Sequence, residues 1–272
     1  MIQDIYPSRL DNSFRNHKVN NNDMLLIFNE EGKLLVDTQS SVIRFPSGKE
    51  ASGLNNIYAF SIDEKRYFIT LSQFQPFDPM FEYKTLRELR DSFGGTELFA
   101  AFTAYHLWKW YTDNVFCGKC GSRFVLHESE RALCCKSCGN VIYPRINPAV
   151  IVGVTKGDRI LITRYRRGYA HNALVAGFTE IGETLEQTVK REVMEETGVK
   201  VKNIRYYKSQ PWGMAQDILV GFFCEADGNG DIHMDENELK YAEWVRREDI
   251  VLQPSNASLT NEMMKVFKEG NI

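Results

Sequence analysis

The stretch GFTEIGETLEQTVKREVMEETGV, residues 177–199, decides the reading of this chain. Thr184 followed by Gln187 is a capping box, which predicts a helix starting there. Gly198 suits the left-handed residue that closes a helix. The predicted helix therefore covers about 185–197. Inside it, Glu192, Glu195 and Glu196 stand at i, i+3 and i+4, so three carboxylates share one face. Like charges at that spacing repel. A hard divalent cation, Mg²⁺ or Mn²⁺, relieves the repulsion, takes oxygen ligands and bridges carboxylates to a phosphate. Arg191 adjoins the cluster and can orient or partly neutralise it. The plain alternative is a solvated acidic face paired with Lys190 and Arg191.

Around this helix the pattern is mixed. Ala149 to Val154 and Arg159 to Thr163 read as a strand pair across Lys156-Gly157-Asp158. Further strands are predicted at 203–208, 217–224 and 241–246, with a turn at 227–231 and a last helix from Ser258 to Glu269. Towards the amino terminus, residues 1 to about 82 read as β-rich. Met24–Phe28 and Lys33–Val36 flank a turn at Asn29–Gly32, and Ile57–Phe60 and Tyr67–Leu71 flank another at Asp63–Lys65; both predict hairpins. Residues 84–112 read as helical, with Leu98, Phe102 and Tyr105 on one face. Phe99, Trp108, Trp110 and Tyr111 enrich the same segment, and packing explains them better than a stacking platform.

Between these halves lie two CxxC pairs, Cys117/Cys120 and Cys135/Cys138, separated by 14 residues. Each pair brings two thiolates to one tight turn, which Gly118, Gly121 and Gly139 assist. Four thiolates complete a closed tetrahedral Zn²⁺ site. Cys134 competes with Cys135 for the fourth place, and the CxxC frame favours Cys135. The loop 122–131 carries Arg123 and Arg131 against Glu128 and Glu130, so a structural clip is the better reading than a nucleic-acid contact.

Composition excludes several classes. The 272 residues are 43% hydrophobic and 25% charged, an ordinary globular balance rather than that of a disordered, collagen-like or coiled-coil chain. A net charge of −3 argues against a dedicated, sequence-independent nucleic-acid binder. Five of the six cysteines fall within 117–138, which argues against a spread disulfide framework. The opening MIQDIYPSRL lacks a basic start followed by an apolar run, and the apolar stretch 149–154 is far short of the roughly 20 residues of a membrane helix. A cytoplasmic protein without membrane association is expected.

Residues 177–199 fit GX5EX7REUXEEXGU, with U aliphatic, at every specified position, and so resemble the Nudix box. Seven fixed residue types and two aliphatic positions recur by chance with odds of about one in millions per chain or rarer. A four-Cys ribbon ahead of the box and Ser209-Gln210-Pro211-Trp212 after it resemble the NADH pyrophosphatase branch of that family. The resemblance implies an α+β class: a Nudix α/β/α sandwich at 143–272, preceded by a zinc ribbon at 113–142 and a β-rich amino-terminal domain at 1–112. It implies hydrolysis of NADH or NAD⁺ to nicotinamide mononucleotide and AMP, and permits NAD-cap removal from RNA. ADP-ribose or another nucleoside diphosphate derivative is the alternative substrate, and a nucleotide-sensing regulator the non-enzyme alternative.

Carried over residue by residue, the resemblance implies that Glu192, Glu195 and Glu196 hold the catalytic metal, with Arg191 in support and Glu183 as a further ligand or structural partner. Ala176, through its carbonyl, and Glu238 are implied as further metal contacts. Arg87, Tyr143, Phe178, Gln210, Pro211 and Trp212 are implied to bind substrate, Tyr143 from the partner of a homodimer. The branch signature runs SQPWPFPxS, whereas residues 209–217 here read SQPWGMAQD. Gly213 and Ala215 remove two prolines and predict a less preorganised loop; Met214 replaces an aromatic and Asp217 a serine. Arg164, Arg166 and Arg167 form a basic run for which a solvated loop is the favoured reading over a phosphate contact.

Overall fold

The computed structural model describes residues 1–272 except 52, 73, 75–77 and 167–170. Arg167 thus lies outside the described residues. The chain divides into two compact units, one made of Ile2–Ile146 with Trp212–Gln216, the other of Met1, Asn147–Pro211 and Asp217–Ile272.

The first unit opens with strands β1 (Leu10–Asp11), β2 (Met24–Ile27), β3 (Leu34–Val36), β4 (Asn56–Ile62), β5 (Lys65–Thr70) and β6 (Glu82–Lys84). One sheet has the order β1-β4-β5-β2, and β3 pairs with β6 in a second. The β4–β5 hairpin forms as the pattern predicts, turning at Asp63 in the left-handed region. The other predicted hairpin does not. Its turn exists, with the Asn29 N–H donating to the Lys33 carbonyl at 3.0 Å, but pairing stops at one bridge, Phe28 to Leu34. β2 then runs parallel to β5 and β3 antiparallel to β6. The reason is burial: Leu25–Ile27 and Leu34–Val36 are apolar and buried at every position, so each strand needs cover on both faces.

The predicted helix over 84–112 is two helices, α1 (Leu86–Ser92) and α2 (Gly95–Asp113). Thr85 caps α1 in a capping box with Glu88. The chain then turns extended at Phe93 and Gly94, and Gly95 takes a φ of +77° that other residues rarely adopt. The aromatics of α2 pack inward, with Phe102, Trp108, Trp110 and Tyr111 all buried. Short strands β7 (Val125–Leu126), β8 (Leu133–Cys134) and β9 (Val141–Ile142) make the three-stranded ribbon.

The second unit contains β10 (Asn147–Lys156), β11 (Arg159–Tyr165), β12 (Val175–Phe178), α3 (Leu185–Thr197), β13 (Val201–Trp212, its last residue counted with the first unit), β14 (Asp217–Ala226), β15 (Leu239–Arg246) and α4 (Leu259–Lys268). The sheet order is β13-β14-β10-β11-β15, with β12 paired to β10 and β14 parallel to β10. Period-2 alternation splits β10 between two cores. Val150, Val152 and Val154 meet Val189 and Val193 of α3. Ile151 on the opposite face joins Met263, Met264 and Phe267 of α4. The result is a three-layer α/β/α sandwich.

Candidate metal-dependent active site

Helix α3 begins and ends where its sequence dictates. Thr184 and Gln187 exchange capping-box bonds, and Gly198 closes the helix at φ +69° with its N–H on the Met194 carbonyl. Between these ends, Arg191 is the hub. It donates to both oxygens of Glu183 at 2.6 and 2.9 Å, to Glu192 at 2.7 Å, to Glu195 at 3.0 Å and to the Phe178 carbonyl at 2.9 Å. One guanidinium thereby fixes two helix carboxylates and the loop that enters the helix. Glu183 also accepts from the Glu180 N–H and the Thr188 hydroxyl. Arg191 foremost, with these donors, holds the Glu183 carboxyl down at about 2. Glu183 is thus a standing anchor for the arginine. Gly177 has a separate reason to lack a side chain: a Cβ there would lie 2.0 Å from the Glu192 carboxyl carbon.

Glu196 lies behind this arrangement, 1% exposed. The Tyr165 hydroxyl sits 3.1 and 3.2 Å from its two oxygens and accepts from the Ala176 N–H at 3.1 Å. Burial first, then the charges of Glu238 and Glu192, push the Glu196 carboxyl up to about 8. Burial likewise raises Glu192, with Glu195 and Glu238 adding to it. Glu238 is exposed, but its loop is tied to the end of α3 by the Asp235 N–H on the Glu196 carbonyl and the His233 N–H on the Thr197 carbonyl. Among the described residues no salt bridge reaches Glu196 or Glu238, while Arg191 alone serves Glu183, Glu192 and Glu195. The donor set is all oxygen with an excess of negative charge, which fits a hard divalent cation.

The four cysteines form the second candidate centre. The sulfurs of Cys117, Cys120, Cys135 and Cys138 all lie within 4.8 Å of one another. The two CxxC turns repeat one pattern. Cys117 N–H donates to Ser122 O and Gly121 N–H to Cys117 O; Cys135 N–H donates to Asn140 O and Gly139 N–H to Cys135 O. Gly121 and Gly139 take φ of +75° and +72°, which is why glycine stands at both. Cys134 pairs in β8 outside the quartet, so Cys135 fills the fourth place. The site is closed and suited to tetrahedral Zn²⁺.

Residues 145–267 match the family described as NUDIX domain, and residues 113–143 the one described as NADH pyrophosphatase zinc ribbon domain. The carboxy-terminal unit is a Nudix domain. Proteins named NAD-capped RNA hydrolase NudC from Escherichia coli (strain K12 / DH10B) and Escherichia fergusonii are 41% identical over 160 residues, 58% of this chain and 61% of theirs. The match thus spans less than two thirds of those relatives. A Nudix hydrolase structure from Nitrosomonas europaea, 20% identical, superposes with a TM-score of 0.50 over 57% of this chain and 90% of that one, which bears on the fold alone.

The Nudix domain places the implied substrate residues unequally. Phe178 ends β12 with 52% of its surface exposed, immediately before the loop that Arg191 holds. Gln210 is fully buried, its amide donating to the Ala257 carbonyl at 2.8 Å and accepting from the Leu259 N–H at 2.7 Å. Both ends hold the approach to α4, so its side chain serves the fold. Pro211 is exposed.

In the first unit, Trp212 lies against Phe102, ring centroids 5.1 Å apart, and Gly213 sits so close to α2 that a Cβ would fall 2.0 Å from the Phe102 carbonyl oxygen. The turn is held by this packing where prolines are absent. Met214 and Arg87 line one cleft with Tyr105, Thr85 and Gly32, of about 350 Å³. Tyr143 is 57% exposed and donates to Glu130 at 2.9 Å.

Arg164 donates to Asn172, and Arg166 donates to the Glu236 and Glu238 carbonyls. Arg164 is thus engaged within its own loop, and Arg166 by the distant loop that carries Glu238. Tyr165 escaped the sequence reading. Its link to Glu196 spans 31 residues, and no local spacing signals it.

Proposed function

We propose that this chain hydrolyses the pyrophosphate bond of NADH or NAD⁺ with Mg²⁺ or Mn²⁺, giving nicotinamide mononucleotide and AMP, and removes the same cap from RNA. The observation that carries the reading is the Arg191-braced carboxylate face of α3, backed by Glu238, in a chain 41% identical over 160 residues to proteins named NAD-capped RNA hydrolase. Glu192, Glu195, Glu196 and Glu238, with the Ala176 carbonyl, would hold the cations. Bound there, such ions polarise phosphate oxygens and lower the pKa of attacking water.

The protein's own groups do the rest. Arg191 fixes Glu192 and Glu195 and orients the Phe178 loop, while Tyr165 holds Glu196. Phe178 offers an exposed ring face to a base, a recurring mode of nucleobase binding. Hydrolysis adds the oxygen of water to one phosphorus and breaks its bond to the bridging oxygen. That oxygen leaves with a proton, so each product keeps one phosphate. The zinc ribbon is a structural clip. The same reading takes the chain to be a cytoplasmic homodimer organised as 1–112, 113–142 and 143–272.

Chromatographic product analysis with each metal tests the proposal. AMP and nicotinamide mononucleotide in equal amounts are expected. NADH turning over no faster than ADP-ribose or diadenosine compounds would defeat the NADH assignment. Rates on NAD-capped RNA against free NADH separate the two substrates.

A further inference from the structure

The hydrogen bonds of Arg191 end on Glu183, Glu192, Glu195 and the Phe178 carbonyl. The remaining candidate metal contacts, Glu196, Ala176 and Glu238, meet at Tyr165 instead. The Tyr165 hydroxyl donates to the two Glu196 oxygens at 3.1 and 3.2 Å and accepts from the Ala176 N–H at 3.1 Å. It also lies 3.4 Å from the Ala176 carbonyl oxygen. Glu238 is joined through the backbone, because the next residue, Arg166, donates its N–H to the Glu238 carbonyl at 3.0 Å.

The strands aim the ring at this point. Leu161 of β11 packs under α3 with Val189 and Val193. Tyr165 stands four residues on, so the strand period of two puts it on the same face. Arg164 faces the other way, over the Tyr241 ring, which packs on the α4 core. Here the register between β11 and β15 skips: Arg164 pairs with Tyr241 and Tyr165 with Leu239, which leaves Lys240 out. Such a bulge bends a strand and re-aims side chains beside active sites. It brings the Glu238 carbonyl level with Arg166.

A neutral hydroxyl suits this place. A cation beside Glu196 would neutralise the carboxylate and compete with a metal ion. A hydroxyl has one hydrogen to give, and the near-equal distances centre it between the two Glu196 oxygens. It therefore orients the carboxylate and leaves the charge for the ion.

We propose that Tyr165 is a positioning residue that sets the cation affinity of the Glu196 and Ala176 side of the site, as Arg191 does for the Glu192 and Glu195 side. It acts through those groups and is not itself a ligand. The inference rests on the metal-dependent reading above. The competing account is a tyrosine that satisfies a buried carboxyl for the sake of the fold alone.

The test removes one oxygen, with Tyr165→Phe in the full, zinc-loaded chain. Mn²⁺ binding is titrated without substrate from the electron paramagnetic resonance signal of the free ion. Thermal melts are recorded with and without added Mn²⁺. The variant should bind Mn²⁺ about tenfold more weakly or worse, the range of outer-shell changes at metal sites. Its melting temperature without Mn²⁺ should stay within a few degrees of the wild type. The rise in melting temperature at a fixed Mn²⁺ concentration should shrink with the lost affinity. With NADH, raising Mn²⁺ should recover most of kcat, while KM for NADH at saturating Mn²⁺ stays within about twofold of the wild type. Unchanged Mn²⁺ affinity in Tyr165→Phe would overturn the assignment. A variant that no longer melts cooperatively would overturn it too, since the hydroxyl would then serve the fold. A wild type that binds no Mn²⁺ would overturn the metal-dependent reading beneath it.

Discussion

The ribbon and the glutamate helix both gather metal-binding side chains, but they hold them differently. The four cysteine sulfurs already stand within 4.8 Å of one another, and among the described residues they are the one group of three or more ligating side chains so placed. Their positions follow from two repeated backbone turns closed by Gly121 and Gly139. The glutamates are held by a side chain, Arg191, which occupies Glu192 and Glu195 while Glu196 rests on Tyr165. A structural site can be closed because nothing needs to enter it. A site that must admit ions, water and a phosphate keeps its ligands separate and uses a counter-charge to stop them repelling one another.

The sharpest break of this comparison is at the ribbon. Cys120→Ser, or prolonged chelation, should abolish one equivalent of bound zinc and unfold 113–143. Zinc-finger peptides owe roughly 10–16 kcal/mol of apparent binding energy to their metal. Metal analysis alongside hydrogen exchange reads both effects. Full protection of the ribbon amides after zinc removal would show that the turns stand without the ion, against the clip reading.

At the helix the expectation is the reverse, function lost with the fold intact. Glu196→Gln keeps the volume and the bond to Tyr165 but removes a charge. Turnover should fall by about 100-fold or more, beyond the 10–100-fold typical of outer-shell changes at metal sites. The melting temperature should hold or rise, because a buried carboxylate beside Glu192 and Glu238 is a strained charge without its cation. Near-normal turnover in Glu196→Gln would contradict the ligand role.

How legible these regions were follows from the range of their interactions. The helix bounds, its caps and the acidic face are local patterns, and α3 runs Leu185–Thr197 as predicted. The cysteine quartet was legible because CxxC spacing dictates its own turn. The β2–β3 pairing was misread because a turn at Asn29–Gly32 states that two strands meet, not that they stay paired when both are apolar on every face. The break at Gly94–Gly95 was readable from the glycine pair, yet the apolar period bridged it. Tyr165 under Glu196 and Gln210 against the approach to α4 depend on contacts 31 and about 50 residues away, which no spacing rule reaches.

The smallest expected effect lies at Asp217, which belongs to neither metal region and contrasts with both as an acid with no charged partner. Burial pushes its carboxyl up to about 7 from an ordinary value of 3.8, with its own backbone N–H acting the other way. The folded state therefore binds the proton more tightly than the unfolded chain. Its protonated form is fully compatible with the fold below about pH 3.8, and that advantage is lost as pH rises towards 7. Asp217→Asn removes the titration while keeping the shape. The variant should melt a few degrees above the wild type at pH 8, and the difference should shrink steadily by pH 5.5. Thermal melts of both proteins across that range measure it. A constant difference between them would mean that the acid finds a partner or water in solution, against its standing in the fold as an unsatisfied buried carboxyl.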